Sequence, residues 1–508
     1  MCSHTGMRPV PSEILAQLEL AEAARREATA AEALMPSSPG QDEMREGAEV
    51  FARWLAGQLQ SGLTTCRGLV VAVAKPETGS RPVAIWGFAE RVTYRALTDL
   101  LMTKAQHEND RNNEAYQAFA VAPLRYAETQ YRRSDTRSSP LFLFQPEDAI
   151  VQYVVKADLA SFYDYIDHDI LGRELLLRTS DHESIACLLD LLLEVQGRRY
   201  GIPQLLEPSD RLSDLYASRI LRAIRRKQWP AWRYNDDFRI AAETFEDTKR
   251  ALDDLTTAAR DNGLVLNEAK TRTPTFITYW QENHVPDYVD ATADIDPTWA
   301  IDTLNSTVTP REVAAGSSIE LPIHLQEADR AATRRIRHAL IRLSDPTESR
   351  AVEVMAKVEH IVAFVPSTTP YVLRYLRAMA SVDHSSVTGI VESLTTDVSL
   401  SGWQRLCLIR TIREIGLTDT QPFTDWVKEQ RGQRYEPTVR AEAALALAAV
   451  NLFEVQDVVR ALDEEPSALA NWYLACALEL RRHRTISDET YDAIRDDSGL
   501  HAAILASS

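Results

Sequence analysis

Two stretches, Val154-Val-Lys-Ala-Asp158 and Trp232-Arg-Tyr-Asn-Asp-Asp-Phe-Arg-Ile-Ala241, decide how this chain is read. The first is an apolar run of the kind that forms a buried strand, and it ends in a carboxylate. The second has two arms, Trp232-Arg-Tyr and Phe238-Arg-Ile-Ala, around Asn235-Asp236-Asp237, the pattern of a hairpin with acids near its tip. Adjacent like charges on a tight turn repel one another unless a cation offsets them. Asp158 has a second reading, as the cap of a helix beginning near Phe162, and the turn acids a second reading as solvated groups. Two acid sites, each after a hydrophobic strand, favour a metal.

Around these stretches the texture changes along the chain. Pro11 to Leu34 is rich in Ala, Glu, Leu and Arg with helical spacing and predicts one helix; Met35-Pro-Ser-Ser-Pro-Gly40 breaks it, and a second helix follows over Met44 to Leu59. Leu69-Val-Val-Ala-Val-Ala74 and Arg81-Pro-Val-Ala-Ile-Trp86 read as strands joined by a turn. Glu90 to Leu101 resumes helical spacing, and Phe245 to Asp261 predicts a helix stopped by Asn262-Gly263. A Pro- and Asp-containing stretch separates Val285 from Pro297. From Glu327 to Ala506 amphipathic segments recur, each followed by a break, which suggests stacked helical pairs of the HEAT type or an irregular bundle. The fold expected is therefore α+β, with a helical segment at 1–60, a mixed domain at 61–285 and an all-α repeat domain at 286–508.

A chain of 508 residues exceeds one hydrophobic core, and 45% hydrophobic with 26% charged residues describes an ordinary globular composition. No run approaches the roughly 20 apolar residues that span a bilayer, and the N-terminus lacks a signal-peptide pattern. Five scattered cysteines at no C-x-x-C spacing argue against disulfide frameworks and zinc, so a cytoplasmic setting without a membrane is expected. A net charge of −18 argues against extensive coverage of nucleic acid and for a short or confined contact with it.

The ordered set of motifs resembles the reverse transcriptases, in the group containing retron, group II intron and bacterial antiviral enzymes. Asp158-Leu-Ala-Ser-Phe-Tyr-Asp164, with Ile166 and His168, is similar to their first aspartate segment. Gly201-Ile-Pro-Gln-Leu-Leu-Glu-Pro-Ser209, with Leu212 and Tyr216, is similar to the second, Tyr234 to Asp237 to the [YF]-x-D-D segment, and Gly263 to Thr271 to G-L-x-L-N-x-x-K-T. The likeness covers about Leu69 to Phe276, a fingers and palm region. It implies a nucleotidyltransferase holding two Mg²⁺ or Mn²⁺ ions per active site, about 3.5–4 Å apart, to grip the attacking and leaving oxygens. Asp158 and Asp236 would be the principal ligands, with Asp237 beside them. Tyr163 would exclude a ribose 2′-hydroxyl, Gln204 and Ser209 would position template or incoming base, and Lys75 and Arg81 would contact the triphosphate. Lys270 would approach the pyrophosphate, with a surface lysine as the alternative.

Two departures narrow the family. The Gln is usually followed by Gly, which lets a template backbone approach; here Leu205, Leu206 and Glu207 follow. Nothing after Thr271 resembles a thumb, an RNase H or an HNH endonuclease. The combination resembles the abortive-infection group of bacterial defence reverse transcriptases. That likeness implies template-independent, protein-primed DNA synthesis from dNTPs, single-stranded product attached to the protein, a homo-oligomer, and action against phage under a phage-encoded trigger. None of the 17 tyrosines stands out as the primer. The alternatives are a retron-like, RNA-directed DNA polymerase using a partner RNA, a helical scaffold over a degenerate palm, and an RNA-cleaving tail built on Arg377 and His384.

Overall fold

The structure is a computed structural model that describes residues 6–30, 34–35, 41–65, 68–76, 79–106, 112–134, 144–283, 296–307, 330–465, 467–485, 492–493 and 501. The described part is mostly helical, with five strands: β1 (Leu69–Ala74), β2 (Ser80–Ile85), β3 (Tyr153–Asp158), β4 (Ala231–Tyr234) and β5 (Asp237–Ala242). The chain forms two compact units that do not follow chain order. One comprises Met1–Leu18, Gln60–Thr65 and Tyr94–Asp290; the other comprises Glu19–Leu59, Cys66–Thr93 and Ala291–Ser508.

The first unit is built on an antiparallel sheet in the order β3-β5-β4. Its central pairing sets Val154 opposite Ala241, Val155 opposite Ile240 and Asp158 opposite Asp237. Successive side chains on a strand point to opposite faces, so a strand buried on both reads as a continuous apolar run, as Val154 and Val155 do. Val154 and Ala241 pack with Ala127, Val151, Phe276 and Tyr279 in a buried cluster that Trp232 and Phe144 border. The helix Phe245–Arg260 packs on β3 and β5. It opens with a capping box between Thr244 and Asp247, buries Thr248, Ala251, Leu255 and Ala259 at helical spacing, and ends before Gly263, whose φ is +70°. Glu174, almost fully buried, ties the helices His168–Thr179 and Glu207–Arg226 together through ion pairs with Arg219 and Arg222.

The outer edge of β3 is not bare. The backbone N–H of Lys156 donates to the carbonyl of Arg272 and the N–H of Arg272 donates back, both at 2.8 Å, and the N–H of Val154 donates to the carbonyl of Pro274 at 3.1 Å. The strand that ends in Asp158 is therefore bonded along both sides.

In the second unit β1 and β2 form an antiparallel hairpin that packs on the helix Gly402–Glu414. The helices Thr369–Ala380, Gly402–Glu414, Pro437–Ala449 and Ala468–Thr485 pack in succession, with His384–Thr396, Phe423–Glu429 and Val455–Glu464 between them along the chain. Buried Arg410 donates to Glu442 at 2.7 Å across two of these helices. Among the described residues no helix is long and apolar enough to cross a membrane.

The N-terminal segment departs from the single helix its composition predicts: helices run over Ser12–Leu15 and Leu20–Thr29. Leu18 and Leu20 are both buried, and residues two apart do not share a face of one helix, so the chain opens between them. The second expected helix is likewise two, Gln41–Glu46 and Ala48–Ser61. Most of the stretch between Val285 and Pro297 lies outside the described residues.

Candidate active site

The two-residue link between β4 and β5 holds Asn235 and Asp236, with Tyr234 paired to Asp237 at its base. Asn235 has φ +51°, a left-handed conformation that asparagine tolerates better than most residues, so the turn closes tightly and leaves Asp236 at its tip. Across the sheet, Asp158 ends β3 opposite Asp237, and the N–H of Leu159 donates to the carbonyl of Asp236 at 3.1 Å. The result is three carboxylates whose nearest oxygens all lie within 4.8 Å of one another. Asp158 is not a helix cap: the short helical turn Phe162–Tyr165 begins after Ser161, and the next helix, His168–Thr179, is capped by Asp167, which accepts from the N–H of Ile170 at 2.8 Å.

Electrostatics make this cluster costly when no cation is present. Burial, then the neighbouring charges of Asp158 and Asp237, push the Asp236 carboxyl up to about 6. Burial also raises Asp237, against the lowering effect of the Arg239 guanidinium 3.5 Å away. Hard, closely spaced carboxylate oxygens of this kind suit Mg²⁺ or Mn²⁺ rather than softer metals. The donor set therefore fits the divalent ions its motifs imply.

Lys270 reaches into the same site. Its Nζ donates to both oxygens of Asp158, at 2.8 and 2.9 Å, and the Asn267 amide donates to Asp158 Oδ2 at 3.1 Å. The backbone holds this arrangement as well, because the N–H of Asn267 donates to the carbonyl of Asp158 at 2.7 Å. Lys270 is thus an ion-paired residue of the site rather than a free surface lysine.

The first and second motifs meet beside the carboxylates. The N–H of Ile202 donates to the carbonyl of Tyr163 at 2.9 Å, and that of Gly201 to Ile166 at 2.8 Å. Gly201 is required here: its φ is +85°, and a Cβ would come 3.0 Å from the Asp164 carbonyl oxygen. The Tyr163 hydroxyl donates to Asp210 at 2.6 Å, which fixes the ring, and the Gln204 amide donates to Asp164 at 3.2 Å. Leu205 has φ +69°, a region that a branched side chain enters at a cost of roughly 1–2 kcal/mol. Ser209 is fully buried near the start of the helix Glu207–Arg226, its hydroxyl 2.9 Å from that of Tyr94. Lys75 and Arg81 lie at the β1–β2 hairpin, in the other compact unit.

The sequence reading assigned no role to Asn267, Arg239, Asp210 or Asp164. Arg239 was open to inference, since it stands two positions from Asp237 on one strand and so shares its face. Asp164 closes the first motif, but neither it nor Asp210 carried a local signal of its partner, which lies 40 residues away for Asp164 and 47 for Asp210.

Residues 73–292 match the family model of reverse transcriptase (RNA-dependent DNA polymerase). That stretch is a domain of a nucleotidyltransferase family, and it contains every carboxylate of the cluster. No curated protein matches the chain. Among solved structures the chain is similar to telomerase from Candida albicans in complex with a fragment of telomeric RNA, at 11% identity and a TM-score of 0.30, over 82% of this chain and 66% of that one. It is similar also to apo telomerase from Candida tropicalis, at 10% identity and a TM-score of 0.30, over 79% and 71% of the two chains. A telomerase of Candida tropicalis with a telomeric RNA fragment gives 12%, 0.27, 75% and 67%. The chain spans about two thirds of the length of the first of these telomerase chains.

Proposed function

We propose that this chain is a DNA polymerase of the reverse-transcriptase kind, joining deoxynucleotides by nucleotidyl transfer. The observation that carries this is the cluster of Asp158, Asp236 and Asp237 at the shared end of β3 and β5, inside the stretch that matches the family. In the reaction a hydroxyl oxygen bonds to the α-phosphorus of a dNTP, the bond to the bridging oxygen breaks, and pyrophosphate leaves. Divalent cations, when bound, supply charge stabilisation to the attacking and leaving oxygens. The three aspartates would hold that charge in place, and the Tyr163 ring, fixed by Asp210, is the group to which we assign exclusion of a 2′-hydroxyl. Lys270, anchored on Asp158, is a cation available to the leaving group.

Within this reading, template-independent and protein-primed synthesis in antiphage defence is the version we favour. Its support is local: Leu205 and Leu206 stand where a small residue would let a template approach, and Ser209 is buried against Tyr94. The succession of packed helices in the second unit supports a HEAT-like scaffold, for which assembly into a cytoplasmic homo-oligomer and recognition of a phage trigger are the roles we assign.

The test is incorporation of labelled dNTPs by purified protein with Mg²⁺ or Mn²⁺ and no added primer or template, resolved on a denaturing gel with and without protease. Label that runs with the protein and is freed by protease is the expected result. Incorporation only when an RNA template and primer are supplied would favour the RNA-directed alternative, and none under any condition would refute the polymerase reading.

A further inference from the structure

Two tyrosines next to the motifs just described have no use in the chemistry and face solvent. Tyr165, two residues after Tyr163, is 52% exposed, and Tyr200, two residues before Ile202, is 43% exposed. Exposed hydrophobic side chains scattered singly are ordinary, but these two rings stand together, and Tyr165 follows Asp158 by seven residues. Their planes are parallel to within 4°, with centroids 6.3 Å apart. The Arg198 guanidinium lies over the Tyr200 ring, 4.7 Å from its centroid, and Arg199 beside it is exposed. Among the described residues neither arginine forms an ion pair, so the positive charge is not spent on a carboxylate.

The placement is fixed by the backbone. Gly201 donates to Ile166 and Ile202 donates to Tyr163, while Tyr200 and Asp167 pair as an isolated antiparallel bridge. The chain therefore runs from the carboxylate Asp158 through Tyr163 to Tyr165 in a few residues, and the second motif lays Tyr200 alongside. The His168 imidazole supports this corner from below, with its Nε2 2.7 Å from the carbonyl of Gly201.

Parallel rings with a guanidinium alongside form the surface on which unpaired bases stack, since every base has a π-face, and the cations contact the phosphates. We propose that Tyr165, Tyr200 and Arg198 form a stacking platform for single-stranded DNA beside the aspartate cluster. A platform of two rings and a pair of arginines is a small contact, which agrees with a chain of net charge −18 that binds nucleic acid locally and not over a broad basic face. The identity of the strand as DNA rests on the polymerase reading; the stacking surface does not.

The test is fluorescence anisotropy of a labelled short oligo-dT with full-length protein in EDTA, so that binding is read apart from catalysis. Tyr165→Ala and Tyr200→Ala should each weaken binding by roughly 5- to 100-fold, and Tyr200→Trp should restore it. Melting temperatures should stay within a degree or two of the native protein, because both rings are exposed. Native affinity in the double alanine variant overturns the platform, as does no binding by the native protein. Tighter binding to oligo-U that is lost in the same variants overturns the choice of DNA. Asp236→Asn separates the two readings: it should bind oligo-dT like the native protein while incorporating nothing. A failure of incorporation alone in the native protein counts against the polymerase reading and leaves the binding result standing.

Discussion

Replacing Asp236 with asparagine should make the metal-free protein more stable while abolishing its chemistry. Asp236 is crowded by burial and by two other carboxylates, which move its carboxyl from the ordinary aspartate value of 3.8 up to about 6. The sign follows from linkage. A carboxyl with a raised native value holds its proton better when folded, so its contribution is full below about pH 4 and is lost as pH rises through about 6. Roughly two units at about 1.4 kcal/mol each sets a ceiling of about 3 kcal/mol on the cost of ionising it. The amide has nearly the same shape and no charge, so it escapes that cost. In EDTA at pH 7.5, Asp236→Asn should melt a few degrees above the native protein, and the gap should close near pH 4. Adding Mn²⁺ should stabilise the native protein, increasingly so above pH 6, and should do little for the variant. Incorporation should fall on the order of a thousand-fold, the equivalent of several kcal/mol of charge stabilisation. Calorimetry with and without EDTA across that pH range is the assay. A variant no more stable than the native protein in EDTA, or one that keeps the native response to Mn²⁺, would refute the argument.

Four further outcomes can be checked. Lys270→Met should remove the cation that competes for Asp158, tightening Mn²⁺ binding by roughly tenfold in titration calorimetry while lowering metal-free stability by about 1–3 kcal/mol. Tyr163→Ala should lower discrimination against ribonucleotides by about 100-fold; an unchanged ratio of incorporation efficiencies would place the sugar check elsewhere. Leu205→Gly should relieve a left-handed backbone and raise stability by up to about 1 kcal/mol, and a drop in melting temperature would show that its side chain matters more than its strain. Glu442→Ala should leave the buried Arg410 charge, among the described residues, with only Glu414, 3.9 Å away, and cost up to roughly 3–5 kcal/mol, read as a fall in the melting of the helical unit.

The catalytic sheet was legible because its signals are local. An apolar run ending in Asp158 and a hairpin pattern around Asn235-Asp236 each specify their strand within a few residues, and the observed register sets Asp158 opposite Asp237. The helix Phe245–Arg260 was legible for the same reason, its stop written in Asn262-Gly263. The N-terminal helix was misjudged because helix propensity is a weak prior, and the separate burial of Leu18 and Leu20 outweighs it. Long-range partners were the least legible. That Lys270 would seat on Asp158, or that Tyr94 would bond to Ser209, depends on which segments the fold brings together, and no spacing in the sequence encodes it. The hairpin carrying Arg81 was readable as two strands, whereas its grouping with the helical unit was not.

The double-sided bonding of β3 bears on how the protein moves. A strand whose amides are tied to β5 on one side and to Arg272 and Pro274 on the other opens only when much of its unit opens. Its amide hydrogens should exchange with solvent among the slowest in the unit, and more slowly still with Mn²⁺ bound, because the ion stabilises the closed unit. Such a site behaves as a preformed socket: loading and unloading exchange ions in a standing frame, and chelation leaves the protein ready for reuse.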